Sequence, residues 1–394
     1  MAGLENIIPY GRQWVTPDDI SEVMAALASD WLTQGPRVAE FEDSLASYCG
    51  AKYAVAVSNG TAALHLACLA LELDKGADVV TSPNTFLASA NCALYSGLHP
   101  RFADIDPDTC NIDPARLEEA LKNKKKKVKA VIPVHFGGNP CDMLAISAIA
   151  REHGAHVIED ACHALGAGTK KRGGGLDRTG SCKYSDMTVF SFHPVKHITT
   201  GEGGAVLTNS RKLYDRLNIL RNHGMTRDPK RMTRNPGPWY YEMVELGYNY
   251  RITDLQCALG TSQMKRLDDF VARRREIAAR YDNAFKDMEF VRPLAESPWS
   301  FSSYHLYVLR ADFKSLKKSR KKVIAELLEL GVRTQVHYIP VHLQPYYIRE
   351  FGYRPGDFPV AEAYYESALS IPMFPMMAGK DVGRVIAAVR SVLA

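Results

Sequence analysis

Short apolar runs alternate with stretches of helical periodicity over the first two-thirds of the chain. The runs are rich in residues that favour strands. Seven of them predict strands, at 51–58, 78–82, 101–106, 130–134, 156–159, 187–192 and 205–208. Because strands that alternate with helices form crossover units, this order predicts an α/β fold with a mostly parallel sheet.

Two helix signals lie among these runs. Thr16 can cap a helix whose first turn holds Pro17 and Asp18, since proline suits the first position and an acid favours the positive end of the macrodipole. Segment 61–71 is apolar on nearly every face, which indicates a helix buried on all sides.

The pattern changes after Arg251. From 253 to 286 it predicts one long helix, highly charged around 273–276, which we interpret as a linker helix. Beyond it we expect a strand at 305–309, a helix at 319–330, a strand at 334–337 and two more helices, as in a small α+β domain. We therefore predict a large domain at 1–252, the linker helix at 253–286 and a small C-terminal domain at 287–394.

Composition excludes several classes of protein. A chain of 394 residues, 46% hydrophobic and 24% charged, buries a sizeable core. Its net charge of +5 includes six lysines between 122 and 129, without which it is 5 − 6 = −1, so we expect a solvated lysine turn and no nucleic-acid surface. The sequence has eight cysteines without a CxxC pair, no signal segment and no apolar run near the ~18 residues that a membrane span needs. It therefore predicts a cytoplasmic protein with reduced thiols and no membrane contact.

Three polar segments follow predicted strands, where open α/β sheets bind ligands. Segment 58–61, Ser-Asn-Gly-Thr, can hold a phosphate on free backbone N–H groups, although the same residues also make ordinary turns and caps. Segment 156–163 delivers Asp160 and His163. A carboxylate there needs a cationic partner such as a pyridinium nitrogen, and the alternative is a capping aspartate with a core histidine.

The third segment, 189–204, carries Lys196 just after a strand and returns through glycines into the next one. A lysine in a low-dielectric pocket can form a Schiff base with an aldehyde, whereas alone it could equally be a surface lysine. Together, a phosphate cradle, a carboxylate for a ring nitrogen and a Schiff-base lysine are the parts of a pyridoxal 5'-phosphate (PLP) site.

These motifs resemble the DegT/StrS family of nucleotide-sugar aminotransferases over nearly the whole chain. The resemblance is carried by WLTQGP at 31–36, SNGTAAL at 58–64, EDACHALG at 159–166, SFHPVKHITTGEGG at 191–204 and GYNYR at 247–251. It implies the PLP-dependent transferase fold of the aspartate aminotransferase (type I) class. That fold has a mixed, mostly parallel seven-stranded sheet with helices on both faces, and a smaller C-terminal α+β domain.

The resemblance also implies residue roles. Lys196 would form the internal aldimine and shuttle the proton, and Asp160 would keep the pyridine nitrogen protonated. His163 would lie near the phenolic oxygen, and Phe86 would stack on the cofactor ring. The expected phosphate contacts are Gly60, Thr61 and Ser191. Asn249 would reach the neighbouring subunit's site, which implies a homodimer with shared active sites. The expected substrate-binding residues are Tyr10, Asp30, Trp31, Leu32, Thr33, Gly60, Ser191, Asn249, Gln335, Val336, His337 and Tyr338; no metal ligand is expected.

Within the family, segments 191–204, 222–225 and 335–338 resemble most the members that aminate C4 of UDP-4-keto-6-deoxy-N-acetyl-β-L-altrosamine in pseudaminic acid biosynthesis. The implied donor is L-glutamate, with pyridoxamine phosphate formed between two half-reactions. His197 and Gly60 differ from those members, so C4 amination of another UDP- or dTDP-4-keto-6-deoxyhexose remains an alternative.

Single residues and short motifs distinguish this family from other classes of protein. A pyridoxamine-phosphate sugar dehydratase commonly has histidine in place of Lys196, and a non-catalytic regulatory homologue would be expected to lose Lys196 or Asp160. A nicotinamide dehydrogenase needs a GxGxxG turn and a metal hydrolase needs HExxH or comparable ligands. The turn after the first predicted strand lacks a GxGxxG motif, and the sequence has no HExxH motif or comparable ligand spacing.

Overall fold

The computed structural model describes residues 7–122 and 127–394. Its centre is a seven-stranded sheet, with strands in the order β1-β7-β6-β5-β4-β2-β3. Only β7 runs antiparallel to its neighbours, β1 and β6. The strands are β1 (Tyr53–Val57), β2 (Asp78–Thr81), β3 (His99–Phe102), β4 (Val128–Ile132), β5 (His156–Asp160), β6 (Met187–Ser191) and β7 (Gly204–Thr208). The predicted mixed, mostly parallel sheet is confirmed, and each predicted strand overlaps one of these seven.

Helices cover both faces of this sheet, which is why its inner strands are apolar on both sides. In β7 every residue is buried. The helices of this part are α1 (Pro17–Leu27), α2 (Pro36–Cys49), α3 (Gly60–Ala70), α4 (Ala88–Tyr95), α5 (Pro114–Leu121), α6 (Met143–Glu152) and α7 (Arg211–Leu220). As predicted, Thr16 precedes α1, and its N–H and hydroxyl both donate to Asp19; α3 is buried along nearly its whole length.

The continuous helix predicted at 253–286 is wrong, because the structure has two helices there. These are α8 (Asp254–Met264) and α9 (Leu267–Phe285). Arg266 lies between them with φ −114° and ψ 7°, outside the helical region. Its guanidinium donates to Asp19 Oδ2 at 2.6 Å. Charged residues suit a helix as well as a break, so the local pattern could not reveal this contact with α1.

The C-terminal part has its own core, in which Tyr281 and Phe285 of α9 pack against Leu309 and Val385. Its antiparallel sheet has the order β8 (Val291–Pro293), β9 (Tyr307–Ala311), β10 (Ala368–Ile371). Its helices are α10 (Arg320–Glu329), α11 (Pro345–Phe351), α12 (Pro359–Ser367) and α13 (Gly379–Leu393). The strand predicted at 334–337 is reduced to one bridge between Gln335 and Ser370. The division into domains at 252 and 286 stays a prediction.

Smaller elements complete the chain. Gly168–Lys170, Leu176–Arg178 and Ser300–Phe301 form a three-stranded sheet, Met225–Thr226 pairs with Glu242–Met243, and two 3₁₀ turns lie at Phe136–Gly138 and Val341–Leu343. Of the lysine-rich segment, Lys124, Lys125 and Lys126 lie outside the described residues, and Lys129 belongs to β4 rather than to a turn. All eight cysteines are free thiols. Within 7–122 and 127–394, no helix has the length and apolar character to span a membrane.

Candidate active site

A cavity of about 890 Å³ lies at the carboxyl edge of the central sheet. The parallel strands β1, β2, β5 and β6 all end there, which is where open α/β sheets place ligands. Each strand end contributes polar groups to the cavity wall, and the wall is completed by Tyr10, His305, His337 and Tyr338 from outside the sheet. The three polar segments singled out in the sequence therefore meet in one place.

The turn between β1 and α3 forms an anion cradle. The Asn59 side chain accepts the N–H of Ala62 at 2.8 Å, so the N–H groups of Gly60 and Thr61, at the first two helical positions, have no partner within the helix. A Cβ atom at Gly60 would lie 2.9 Å from Ser191 Cβ, and one at Gly204 would lie 2.6 Å from the Asn59 carbonyl carbon. Glycine at both positions thus lets the turn lie close to Ser191 and to β7, and a helix N-terminus of this kind could hold a phosphate.

Asp160 ends β5 and is 5% exposed. Ser89 Oγ donates to its Oδ2 at 2.5 Å, and the Cys162 N–H donates to Oδ1 at 3.1 Å. Ser89 is itself 2.7 Å from the hydroxyl of Thr85, so two residues that precede or begin α4 orient the carboxylate. A buried carboxylate fixed in this way suits a protonated ring nitrogen as its cationic partner.

Lys196 projects into the same cavity from the loop between β6 and β7. Burial lowers the pKa of Lys196 from its ordinary value, although the nearby Cys162 and Asp160 act in the opposite direction. A lower pKa increases the fraction of free amine at neutral pH, and only the free amine is nucleophilic.

His163 lines the cavity beside Tyr338. The Gly137 N–H donates to its Nδ1 at 3.4 Å, and its Nε2 lies 3.1 Å from the Tyr338 hydroxyl. Burial, followed by the charge of Lys196, lowers the pKa of His163 well below its ordinary value. A neutral imidazole that accepts at Nδ1 carries its proton at Nε2, so it donates to Tyr338.

The structure brings together most, not all, of the predicted site residues. Gly60, Thr61, Asp160, His163, Ser191 and Lys196 line the cavity, as do Phe86, Tyr10, His337 and Tyr338. Asp30, Trp31, Leu32, Thr33 and Asn249 do not line this chain's cavity and are exposed, and Gln335 and Val336 also lie outside it. Thr33 is held instead by a bridge to Thr253, Asn249 by one to Asn222, and Gln335 by one to Ser370.

Other cavity residues were missed in the sequence. They are Thr85, Ser89, Cys162, His193, Glu202 and His305, among others. Ser89 is separated from Asp160 by 71 positions, and nothing local distinguishes it from a helix-surface serine. A signal did exist for His193, since it lies three residues before the candidate lysine.

This site and sheet together define a PLP-dependent aminotransferase of the aspartate aminotransferase (type I) fold. The chain belongs to the DegT/DnrJ/EryC1/StrS aminotransferase family, whose profile matches residues 14–390. The predicted family, fold and class of enzyme are thereby confirmed.

Three related proteins show the range of this similarity. The chain is 44% identical over 390 residues to the spore coat polysaccharide biosynthesis protein SpsC of Bacillus subtilis, covering 98% of this chain and 97% of SpsC. It is 38% identical over 375 residues to the UDP-4-amino-4,6-dideoxy-N-acetyl-β-L-altrosamine transaminase of Campylobacter jejuni, covering 95% and 94%. The solved structure of Helicobacter pylori PseC, an aminotransferase involved in the biosynthesis of pseudoaminic acid, superposes with a TM-score of 0.89 at 30% identity, covering 98% and 99%.

Proposed function

We propose that this enzyme transfers the amino group of L-glutamate to the C4 ketone of a UDP-linked 4-keto-6-deoxy sugar. The favoured substrate is UDP-4-keto-6-deoxy-N-acetyl-β-L-altrosamine, the precursor in pseudaminic acid biosynthesis. The observation that carries the reaction class is the convergence of the Lys196 amine, the Asp160 carboxylate and the Gly60 cradle in one cavity. Support for the sugar is the 38% identity to the altrosamine transaminase over 95% of the chain.

In this proposal each group of the cavity has a place on PLP. The N–H groups of Gly60 and Thr61 and the Ser191 hydroxyl would bind its phosphate, Asp160 would pair with its ring nitrogen, and Lys196 Nζ would hold it covalently. Phe86 would cover the ring, and His163 would lie near the phenolic oxygen. When bound, PLP supplies an electron sink for the carbon that bears the amino group.

The residues of the chain itself transfer protons and keep the Asp160 carboxylate oriented. Lys196 Nζ removes the proton from the α-carbon of the amino acid, and in the second half-reaction it delivers a proton to C4 of the sugar. The face from which Nζ delivers that proton sets the configuration of the new amine. Ser89 and the Cys162 N–H hold both oxygens of Asp160, so the carboxylate keeps one orientation during both half-reactions.

We propose a homodimer that completes each site. Asn249 and the segment 30–33 are exposed on this chain, although the resemblance places them at the cofactor and substrate. Segment 30–33 and the chain just before Asn249 also expose apolar side chains: Trp31 is 55% exposed, Leu32 47% and Leu246 73%. A second copy packed on this surface would bury the apolar groups and bring Asn249 to the partner's cavity.

A second candidate is C4 amination of a different UDP- or dTDP-4-keto-6-deoxyhexose. It is favoured by the 44% identity to SpsC, a protein named for spore coat polysaccharide biosynthesis, which exceeds the identity to the altrosamine transaminase. Both candidates use the same cavity chemistry and differ only in the sugar.

One experiment tests both candidates. The protein loaded with PLP is mixed with L-glutamate, and its visible absorbance is followed. It is then incubated with glutamate and a panel of UDP- and dTDP-4-keto sugars, and the products are identified by mass and NMR. A glutamate-dependent spectral change and a 4-amino product from the altrosamine derivative are expected. No spectral change would contradict the reaction, a 4-amino product only from another sugar would select the second candidate, and loss of a sugar hydroxyl without amination would indicate a dehydratase.

A further inference from the structure

Three buried histidines lie close together beside Lys196, and two of them, His163 and His305, line the cavity. His163 follows β5, His197 follows the lysine itself, and His305 precedes β9. The ring centroids of His163 and His305 are 4.4 Å apart, and those of His197 and His305 are 5.8 Å apart. None is more than 5% exposed. We call His163, His197 and His305 the histidine cluster.

The members of the histidine cluster are held in different ways. His163 has partners at both ring nitrogens, and His197 Nε2 donates to the Ser303 carbonyl at 3.0 Å. His305 Nδ1 is buried and has no hydrogen-bond partner within the described part of the chain. The position of the His305 ring therefore depends on its backbone and on packing.

Arg274 of α9 holds that backbone. Its Nη1 donates to the carbonyls of Tyr304 and His305, both at 3.2 Å, and to that of Met373 at 2.9 Å. The side chain is 0% exposed. Its Nε and Nη2 have no hydrogen-bond partner among the described residues, and no ion pair to Arg274 occurs among them. Burial of an unpaired guanidinium is costly, and an apolar side chain of similar length would fill the same space at lower cost.

We propose that Arg274 is a positioning residue for the reaction centre. It fixes segment 304–305 so that His305 packs against His163 and His197, and its positive charge opposes the protonation of His197 and His305.

The electrostatics of the surroundings support this proposal. Burial and then the charge of Lys196, with a smaller contribution from Arg274, lower the pKa of His305 well below its ordinary value. Burial and then the charge of Arg274 lower the pKa of His197 well below its ordinary value. Within 7–122 and 127–394, the titratable or charged groups that face the cluster are Lys196, Arg274, His337 and Tyr338. None of these is a carboxylate, and Asp160 and Cys162 act on Lys196 instead.

A neutral cluster has a consequence that rests on the proposed function. An imidazolium beside Lys196 would add a positive charge to a site that must already hold a protonated ring nitrogen. Neutral histidines avoid this repulsion throughout the physiological pH range.

The test is a histidine titration of the full-length protein, with and without PLP, by NMR after selective ¹⁵N labelling of histidine. His197→Asn and His305→Asn variants assign the two sets of signals. In the unmodified protein neither residue should titrate between pH 5.5 and 8.5. In Arg274→Met the pKa of at least one of the two should rise, because a positive charge that opposes its protonation is removed. Arg274→Lys should behave like the unmodified protein, since an ammonium group has three donors for the three carbonyls.

Arg280→Met is the matched control. Arg280 lies on the same helix and also donates to a carbonyl, that of Gly379, at 3.2 Å, but it is not near the cluster. This variant should leave the titrations unchanged. In the loaded enzyme, the acid limb of the kcat profile should move up in pH for Arg274→Met alone.

Several results would overturn the inference. Titration of His197 or His305 in the unmodified protein would do so even if Arg274→Met fails to fold. A folded Arg274→Met protein with unchanged histidines would assign Arg274 a purely structural role. Because the titration needs no turnover, either result could occur in an active aminotransferase, whereas failure of the proposed function appears as the missing glutamate response.

Discussion

Glu159 precedes Asp160 on β5, and its carboxylate is the centre of a buried hydrogen-bond network. His135 Nε2 lies 2.8 Å from Oε2, and the hydroxyls of Ser185 and Thr188 donate to Oε1 at 2.5 and 3.1 Å. The Cys141 N–H donates to His135 Nδ1 at 3.0 Å. That contact fixes the tautomer: Nδ1 is an acceptor, so Nε2 carries the proton and donates to Glu159.

We predict that Glu159→Gln destabilises the protein although it preserves the shape of the side chain. The glutamine can present its oxygen to Ser185 and Thr188, and its NH₂ group then faces the Nε2–H of His135, a second donor. His135 cannot change tautomer without losing the Cys141 N–H. The free energy of unfolding should fall by about 3 kcal/mol, because one buried donor is left without an acceptor and the other hydrogen bonds now go to an uncharged group. The free energy of unfolding is measured by urea denaturation followed by circular dichroism.

The pH dependence of the difference in unfolding free energy between the native protein and Glu159→Gln gives a second check. Burial acts to raise the pKa of Glu159, but the hydrogen bonds from His135, Ser185 and Thr188 outweigh it, and the net effect is a lowered pKa. A carboxyl group with a lowered pKa stabilises the fold above its unfolded pKa, about 4.3, and that contribution is lost as the pH falls through the folded pKa. The difference between the native protein and Glu159→Gln should therefore shrink in acid.

Glu118→Gln is the control, because Glu118 pairs with Lys122 at 2.6 Å on the exposed surface of the protein and such pairs contribute little. If Glu159→Gln and the control have equal free energies of unfolding at both neutral and acid pH, the reasoning from the fixed tautomer is refuted.

Three further predictions concern the site. Lys196→Ala should abolish amino transfer and retain PLP through the cradle and Asp160, as measured by kcat and equilibrium dialysis. Gly60→Ala should weaken PLP binding about tenfold, because the new Cβ would lie 2.9 Å from Ser191 Cβ and the loss corresponds to about 1.4 kcal/mol; the dissociation constant is measured by fluorescence. Ser89→Ala should lower PLP affinity by a similar factor, since it removes a hydrogen bond to the Asp160 carboxylate.

Each site variant has a matched control away from the cavity. Lys183→Ala removes an exposed lysine that pairs with Asp177. Gly383→Ala adds a Cβ that meets nothing within 4 Å. Ser96→Ala removes a hydroxyl that bonds only to its own helix, at Cys92 O. Normal turnover by Lys196→Ala, or PLP affinities in Gly60→Ala and Ser89→Ala that match these controls, would contradict the assigned roles.

The parts that could be predicted from the sequence are those whose cause is local. Each sheet strand is an apolar run of neighbouring residues, and the segment that follows it along the chain necessarily emerges at the strand's end. For that reason the three polar segments at Gly60, Asp160 and Lys196 could be assigned to one edge of the sheet before any contact was known.

The parts that could not be predicted depend on contacts between distant residues. The helix break at Arg266 is accompanied by a contact with Asp19, 247 positions away, and the orientation of Asp160 depends on Ser89, 71 positions away. His305 enters the cavity from the segment before β9 of the C-terminal sheet, and apolar periodicity carries no information about that approach. The strand expected at 334–337 has strand-like residues, but only Gln335 finds a backbone partner.

The antiparallel direction of β7 relative to β6 places Lys196 on a short loop. Because β6 and β7 are antiparallel neighbours, the loop 192–203 leaves and re-enters the sheet at the same edge, and the N–H of Phe192 bonds to the carbonyl of Gly203 at 2.8 Å. A parallel partner would have required a crossover to the opposite edge, usually through a helix. The entropy of closing so short a loop is small, and no helix lies between its ends. Insertions or shifts in the surrounding crossovers can therefore vary among proteins of this fold while the lysine keeps its distance from the cradle.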